Sequence, residues 1–207
     1  TDLGEDSMYL RSFSSRLPVV IIVYTDDFAA SGDDDLALKT IRHVQTIFGL
    51  TSETEDAQLA LYIGVERVPL GVGQDGCRRV LLHQYKYARH FVTDFEQRHN
   101  GGKALKAIAT PLPDQQDHRA EAEGEAPDAI PDLSACAAEV NGKALWMAKG
   151  TRKDLATSCL RIARRLTRWS READSMLFRT MRYIKGSVSL GLMFVGHSGD
   201  LPLLVVK

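Results

Sequence analysis

The rhythm of hydrophobic and polar positions changes several times along the chain, and each change predicts an element. Residues 19–23 read Val-Val-Ile-Ile-Val without polar interruption, which predicts a strand buried on both faces. A short strand near residues 7–10 and a turn over 11–17 precede it, and residues 28–31 predict the returning strand. Asp33, Asp34 and Asp35 then open a helix, because negative charge suits the unsatisfied N–H groups at a helix start. Ala37, Ile41, Val44 and Phe48 give this helix one apolar stripe, and Gly49 ends it.

A second strand-rich stretch covers residues 58–68, with 61–66 reading as a single strand. Residues 71–76 are a turn by composition, and 79–82 return as a strand. A helix over 84–98 carries Tyr87, Phe91 and Phe95 on one side and closes at Asn100-Gly101-Gly102. Thr110-Pro111-Leu112-Pro113 breaks structure, and residues 114–132 hold too little apolar content to fold, which predicts a flexible linker. Three helices follow. The first, over 135–149, carries Val140, Leu145 and Trp146; the second, over 154–169, has a seam of Leu155, Cys159, Ile162, Leu166 and Trp169. The third runs over 172–185 through Leu177, Met181 and Ile184 to a stop at Gly186, and residues 189–206 predict two short strands. Trp146 and Trp169 read as core anchors. Strands followed by helices in this order predict an α+β fold.

Charge changes the picture because it is segregated. The net charge of −1 over 207 residues hides an acidic stretch, Asp114, Asp117, Glu121, Glu123, Glu125, Asp128 and Asp132 against Arg119. From Lys143 to Lys185 the sign reverses, through Arg152, Arg161, Arg164, Arg165, Arg168, Arg171, Arg179 and Arg182 among others. That asymmetry points to a polyanion partner for the basic part. Cys77, Cys136 and Cys159 lie far apart with no paired spacing, which suits a reducing compartment rather than a disulfide frame or zinc site. No apolar run approaches a membrane span and no signal-like leader is present, so the expected location is intracellular, without a membrane partner.

The candidate chemistry sits where the buried run ends, in Tyr24-Thr25-Asp26-Asp27. Two adjacent carboxylates repel each other and resist burial, so they call for solvent or a cation. Hard divalent ions take such oxygen ligands and keep waters or phosphate oxygens as well. A turn with a helix cap is the competing reading of an Asp pair, and it describes Asp33-Asp34-Asp35 well. A phosphoacceptor domain of receiver type is a second competitor, but it needs repeating βα units and further Asp and Lys positions that this order of elements does not supply.

Taken in order, the segments resemble the later part of the reverse transcriptase of copia-type (pseudoviral) LTR retrotransposons. The residues that carry the resemblance are Tyr24-Thr25-Asp26-Asp27, Leu61-Tyr62-Ile63-Gly64-Val65-Glu66 and Leu82-His83-Gln84-Tyr85-Lys86-Tyr87. Thr110-Pro111-Leu112-Pro113, Thr151-Arg152-Lys153-Asp154-Leu155-Ala156 and Arg182-Tyr183-Ile184-Lys185-Gly186-Ser187 continue it. Thr25 stands where the family more often has Val, and Lys153 where it commonly has Pro.

The resemblance implies a partial palm over residues 1–82, the start of a thumb over 83–113, an acidic linker over 114–132 and a helical thumb and connection over 133–207. It implies RNA-directed DNA synthesis: a primer 3′-hydroxyl attacks the α-phosphate of a deoxynucleotide, with two Mg²⁺ or Mn²⁺ ions about 4 Å apart at the reacting oxygens. Asp26 and Asp27 would be metal ligands and Tyr24 would lie near the primer end. Residues 61–66 and 78–82 resemble a primer-grip hairpin. Lys86, Arg89, Arg161, Arg164, Arg165 and Arg168 would face the phosphates of a hybrid between RNA template and DNA primer. A third aspartate and the nucleotide-binding fingers belong upstream of Thr1 in the family, so this chain alone is expected to be inactive. The alternative is a non-catalytic nucleic-acid-binding relic of such an element.

Overall fold

The computed structural model describes residues 8–13, 16–24, 27–49, 61–112 and 130–196. It has an α+β fold of two compact units, residues 1–81 with 193–207 and residues 82–192.

The first unit opens with three antiparallel strands in the order β1-β2-β3: β1 (Met8–Phe13), β2 (Arg16–Tyr24) and β3 (Asp27–Ser31). The first hairpin is longer than its composition predicts. Pairing of Met8 with Ile22 through Phe13 with Arg16 makes strand of most residues expected to turn. Burial of the apolar run is also one-sided. Val19 is buried, while Val20, Ile21, Ile22 and Val23 are only half-buried, because helix α1 (Asp34–Phe48) packs on β2 and β3 from one face. Asp33 is the N-cap of α1; Leu36 N–H donates to its Oδ1 at 3.3 Å. Gly49 ends α1 in the left-handed region, with φ at 63°. The expected stripe holds at Ala37 and in part at Ile41 and Val44, but Phe48 is two-thirds exposed and stacks on Phe28 at 6.5 Å.

A four-stranded sheet follows in the order β4-β5-β6-β7: β4 (Leu61–Tyr62), β5 (Val65–Val72), β6 (Arg78–His83) and β7 (Gly191–Gly196). Residues 61–66 are a hairpin, not the single strand their apolar pattern predicts. Ile63 and Gly64 have φ of 50° and 70°, both in the left-handed region, and Tyr62 pairs with Val65 across them. Gly191 has no room for a side chain: a Cβ there would lie 2.3 Å from the carbonyl oxygen of Leu82. Of the predicted C-terminal strand pair, the second half falls on residues 197–206, outside the described residues, as do residues 58–60 and 113–129.

The second unit is helical: α2 (Tyr85–His99), α3 (Ala137–Gly150), a 3₁₀ turn (Lys153–Leu155), α4 (Ala156–Ala163) and α5 (Arg171–Gly186). Its core is built from Ala88, Phe91, Val92 and Phe95 of α2, Val140, Ala144 and Met147 of α3, Leu155, Cys159 and Ile162 around α4, and Leu177, Met181 and Ile184 of α5. Burial pushes the Cys159 thiol up to about 11, so it packs as a small apolar group.

Three expectations fail here for physical reasons. The α3 core face is Val140, Ala144, Met147 and Ala148, whose small members admit close packing, while Leu145 and Trp146 are 38% and 37% exposed. The helix expected over 154–169 ends at Ala163, where the chain tightens into i→i−3 hydrogen bonds (Arg165 N–H to Ile162 O, 2.9 Å; Arg168 N–H to Arg165 O, 3.0 Å) and leaves Leu166 exposed. Trp169 does pack against the core, and its Nε1–H donates to Asp174 Oδ1 at 2.8 Å. Packed structure also resumes earlier than residue 133, because Ile130 already rests on the core.

Leu177, fully buried in α5, and Leu160, half-exposed on α4, test this division. Leu177→Ala is expected to lower the unfolding free energy of the helical unit by about 2–5 kcal/mol. Leu160→Ala should change it by less than about 0.5 kcal/mol, both read from urea denaturation followed by Trp169 fluorescence.

Candidate functional site

The hairpin that joins β2 to β3 is closed tightly. Ile22 pairs with Ala29, Val23 with Phe28 and Tyr24 with Asp27, so only Thr25 and Asp26 separate the paired residues. Tyr24 and Asp27 are thus opposite each other at the end of the ladder; Asp26 lies outside the described residues, as do the side chains of Tyr24 and Asp27. The base of the hairpin is firmly held. Ala29 and Val19 are buried, Phe28 stacks on Phe48, and Gly32 passes so close to Pro18 that a Cβ would sit 3.0 Å from its carbonyl oxygen. Among the described residues no three or more His, Cys, Asp or Glu side chains form a metal-holding group. The fit of Mg²⁺ or Mn²⁺ therefore rests on the donor chemistry of Asp26 and Asp27, two carboxylates on consecutive residues.

The predicted phosphate-facing cations divide into two kinds. Arg161, Arg164 and Arg168 are exposed and pair with no acid among the described residues. Arg165, by contrast, is bound to Glu172 at 3.0 Å. Arg89 and Lys86 are exposed on α2; the Arg89 guanidinium lies 5.5 Å over the Tyr85 ring, and its Nη1 donates to the Tyr85 hydroxyl at 3.4 Å.

Several other cations of the basic region face inward instead. Lys185 holds Glu96 at 2.5 Å, and Glu96 also accepts the Leu105 N–H at 2.7 Å. Arg179 Nη2 donates to Thr110 Oγ1 at 2.8 Å and Arg182 Nε to the Lys106 carbonyl at 2.8 Å, which fastens residues 105–110 along α5. Lys143 joins Asp94 of α2 to Glu139 of α3. Burial opposes the charge on Asp94, but the hydrogen bonds and charges of Lys143 and Arg98 together outweigh it and the carboxyl lies below its usual range.

Arg152 is the most deeply committed of all, at 1% exposure. Its Nε and Nη2 fork onto the Asp154 carboxylate at 3.1 and 2.8 Å, while Nη1 and Nη2 reach Ser187 O and Oγ at 2.9 and 2.7 Å. Tyr183 lies beneath the guanidinium and donates its hydroxyl to Asp154 Oδ2 at 2.7 Å. One residue earlier, Thr151 donates from N–H and Oγ1 to Gln84 Oε1 at 3.2 and 3.1 Å. Gly150 lies beside it, where a Cβ would come within 2.5 Å of that oxygen and force the Gln84 side chain to shift. None of Gln84, Thr151, Arg152, Tyr183 or Ser187 stands out as a site from the sequence. The available signal was an Arg and an Asp two apart, directly after a helix that ends in Gly.

Burial disfavours the charged form of Asp154, but the hydrogen bonds from Arg152 and Tyr183 prevail and hold its carboxyl below the ordinary range. A depressed native value means that its stabilising contribution is full above the unfolded carboxylate value of about 4 and is lost as pH falls through the native one. Asp154→Asn should therefore be less stable than the parent chain at pH 7, with the gap closing below about pH 4 in urea titrations. Arg152→Ala is expected to cost about 3–5 kcal/mol at pH 7, since it strips a buried network of its only guanidinium. No protein-family model, curated protein or solved structure matches the chain.

Proposed function

We propose that this chain is part of a reverse transcriptase of the copia type, the segment that carries the palm hairpin and the helical thumb and connection. The observation that carries the reading is the close of the β2–β3 hairpin on Tyr24-Thr25-Asp26-Asp27, with Tyr24 opposite Asp27. In sequence, the two carboxylates fall where this ladder ends, and adjacent carboxylates call for solvent or a cation. Asp26 and Asp27 would hold Mg²⁺ or Mn²⁺, which when bound supplies charge neutralisation at the reacting phosphate oxygens. The chain itself holds the base of this hairpin, through the ladder, the Phe28–Phe48 stack and the buried Val19 and Ala29. The exposed Arg161, Arg164 and Arg168, with Lys86 and Arg89, supply sequence-independent affinity for a hybrid duplex.

The same exposed arginines support a second reading, a nucleic-acid-binding relic without catalysis. Mn²⁺ titration separates the two. On the reverse-transcriptase reading, calorimetry of the chain with a bound RNA–DNA hybrid records Mn²⁺ uptake that falls at least about tenfold in Asp26→Asn, Asp27→Asn, while hybrid affinity changes little. Equal Mn²⁺ uptake by the parent and the double variant selects the relic.

A further inference from the structure

The turn between α4 and α5 adds to its arginines a hydroxyl that the polymerase reading does not use. Thr167 is exposed, and its hydroxyl makes no hydrogen bond among the described residues. Arg164 and Arg165 stand three and two residues before it and Arg168 directly after it. Arg164 and Arg168 are exposed and unpaired among the described residues, and the Arg165–Glu172 pair is a surface contact of the kind that is readily released. Residues 165–168 are held by i→i−3 hydrogen bonds at 2.9–3.3 Å rather than by a helical ladder, the kind of segment that opens locally.

Neighbouring hydroxyls are already employed. Ser170 caps α5, its Oγ accepting the Ala173 N–H at 3.3 Å, and Ser175 Oγ donates to the Arg171 carbonyl at 3.2 Å. Thr151, Ser158 and Thr180 are buried, and the exposed Thr157 follows Asp154 rather than a guanidinium. Thr167 is thus the hydroxyl in this unit that is accessible, unengaged and preceded by two arginines.

We propose that Thr167 is the phosphoacceptor of a protein kinase whose acidic groove reads the two preceding guanidinium groups, and that its phosphate turns off the arginine surface around it. In the transfer, Thr167 Oγ1 bonds to the γ-phosphorus of ATP and the bond from that phosphorus to the β,γ-bridging oxygen breaks. ADP leaves with the electron pair, and the hydroxyl proton passes to the kinase's catalytic base. The product carries about −1.5 to −2 charges among Arg164, Arg165 and Arg168, where it forms charge-assisted hydrogen bonds and cancels most of the local positive field. The switching half of the proposal rests on the hybrid-binding reading above; the modification half does not.

The test uses the full chain with Mg²⁺-ATP and the catalytic subunit of an arginine-directed serine/threonine kinase. Tandem mass spectrometry should place the principal phosphate on Thr167. Incorporation should vanish in Thr167→Ala and fall at least about tenfold in Arg164→Ala, Arg165→Ala, with unchanged far-ultraviolet circular dichroism. Phosphate on other residues with Thr167 unmodified, or no incorporation into the folded chain, overturns the modification. Hybrid binding is then measured against salt for the unmodified, phosphorylated and Thr167→Ala chains. The expected result is about tenfold weaker binding and a salt slope smaller by about two on phosphorylation, with Thr167→Ala like the parent. Equal binding before and after phosphorylation overturns the switch. If the unmodified chain does not bind the hybrid at all, the switch and the hybrid-binding reading fall together, while the phosphosite is decided by the mass spectrum alone.

Discussion

The helical unit depends on the placement of one buried cation. Arg152 sits at the end of α3 with its guanidinium spread between Asp154 in the following 3₁₀ turn and Ser187 at the end of α5. A guanidinium removed from water needs nearly all of its donors satisfied, and only a fixed arrangement of these elements satisfies them. The neighbouring Thr151–Gln84 bonds extend the constraint to the start of α2. Four helix ends are tied by contacts that tolerate little displacement, whereas the apolar core beneath them could accommodate many near-equivalent packings.

That constraint explains the motifs from which the resemblance was drawn. The segments around Gln84, Thr110, Thr151 to Asp154 and Tyr183 to Ser187 are far apart in sequence, and none holds a polymerase ligand by the family's logic. In the structure they converge in pairs: Gln84 on Thr151, Arg152 on Asp154 and Ser187, Tyr183 on Asp154, Thr110 on Arg179. Their physical content is the architecture of the helical unit. They bear on function only indirectly, through the kind of protein in which such a unit accompanies a carboxylate hairpin.

What the sequence made legible follows from local rules. Asp33 as a cap, Gly49 as a left-handed stop and the Phe91–Phe95 and Leu177–Ile184 spacings depend on a few adjacent residues, and each element formed as expected. The failures share a different cause. An apolar run cannot reveal that Ile63 accepts a positive φ and folds residues 61–66 back on themselves. Nor can periodicity show that α3 buries its alanines and turns Trp146 outward, because close packing against α4 and the 3₁₀ turn decides which face is internal. The candidate site was legible to the same degree. The Asp pair was visible from its strand, while the difference between outward and inward arginines was not, because it is set by tertiary partners such as Ser187 and Lys106.

The division among the arginines also shows why net charge was a poor guide to the interface. Clustering by sequence put Arg152, Arg179 and Arg182 in the same basic block as Arg161, Arg164 and Arg168. The first three are engaged by the fold, in hydrogen bonds to Ser187, Thr110 and Lys106. The second three sit on one short helix and the turn after it, where their charge reaches solvent undiminished by neighbouring acids among the described residues. On the hybrid-binding proposal, a polyanion would meet a compact patch rather than the whole basic half of the chain. A patch of that size answers steeply to a change of one or two charges, which an evenly basic surface would dilute.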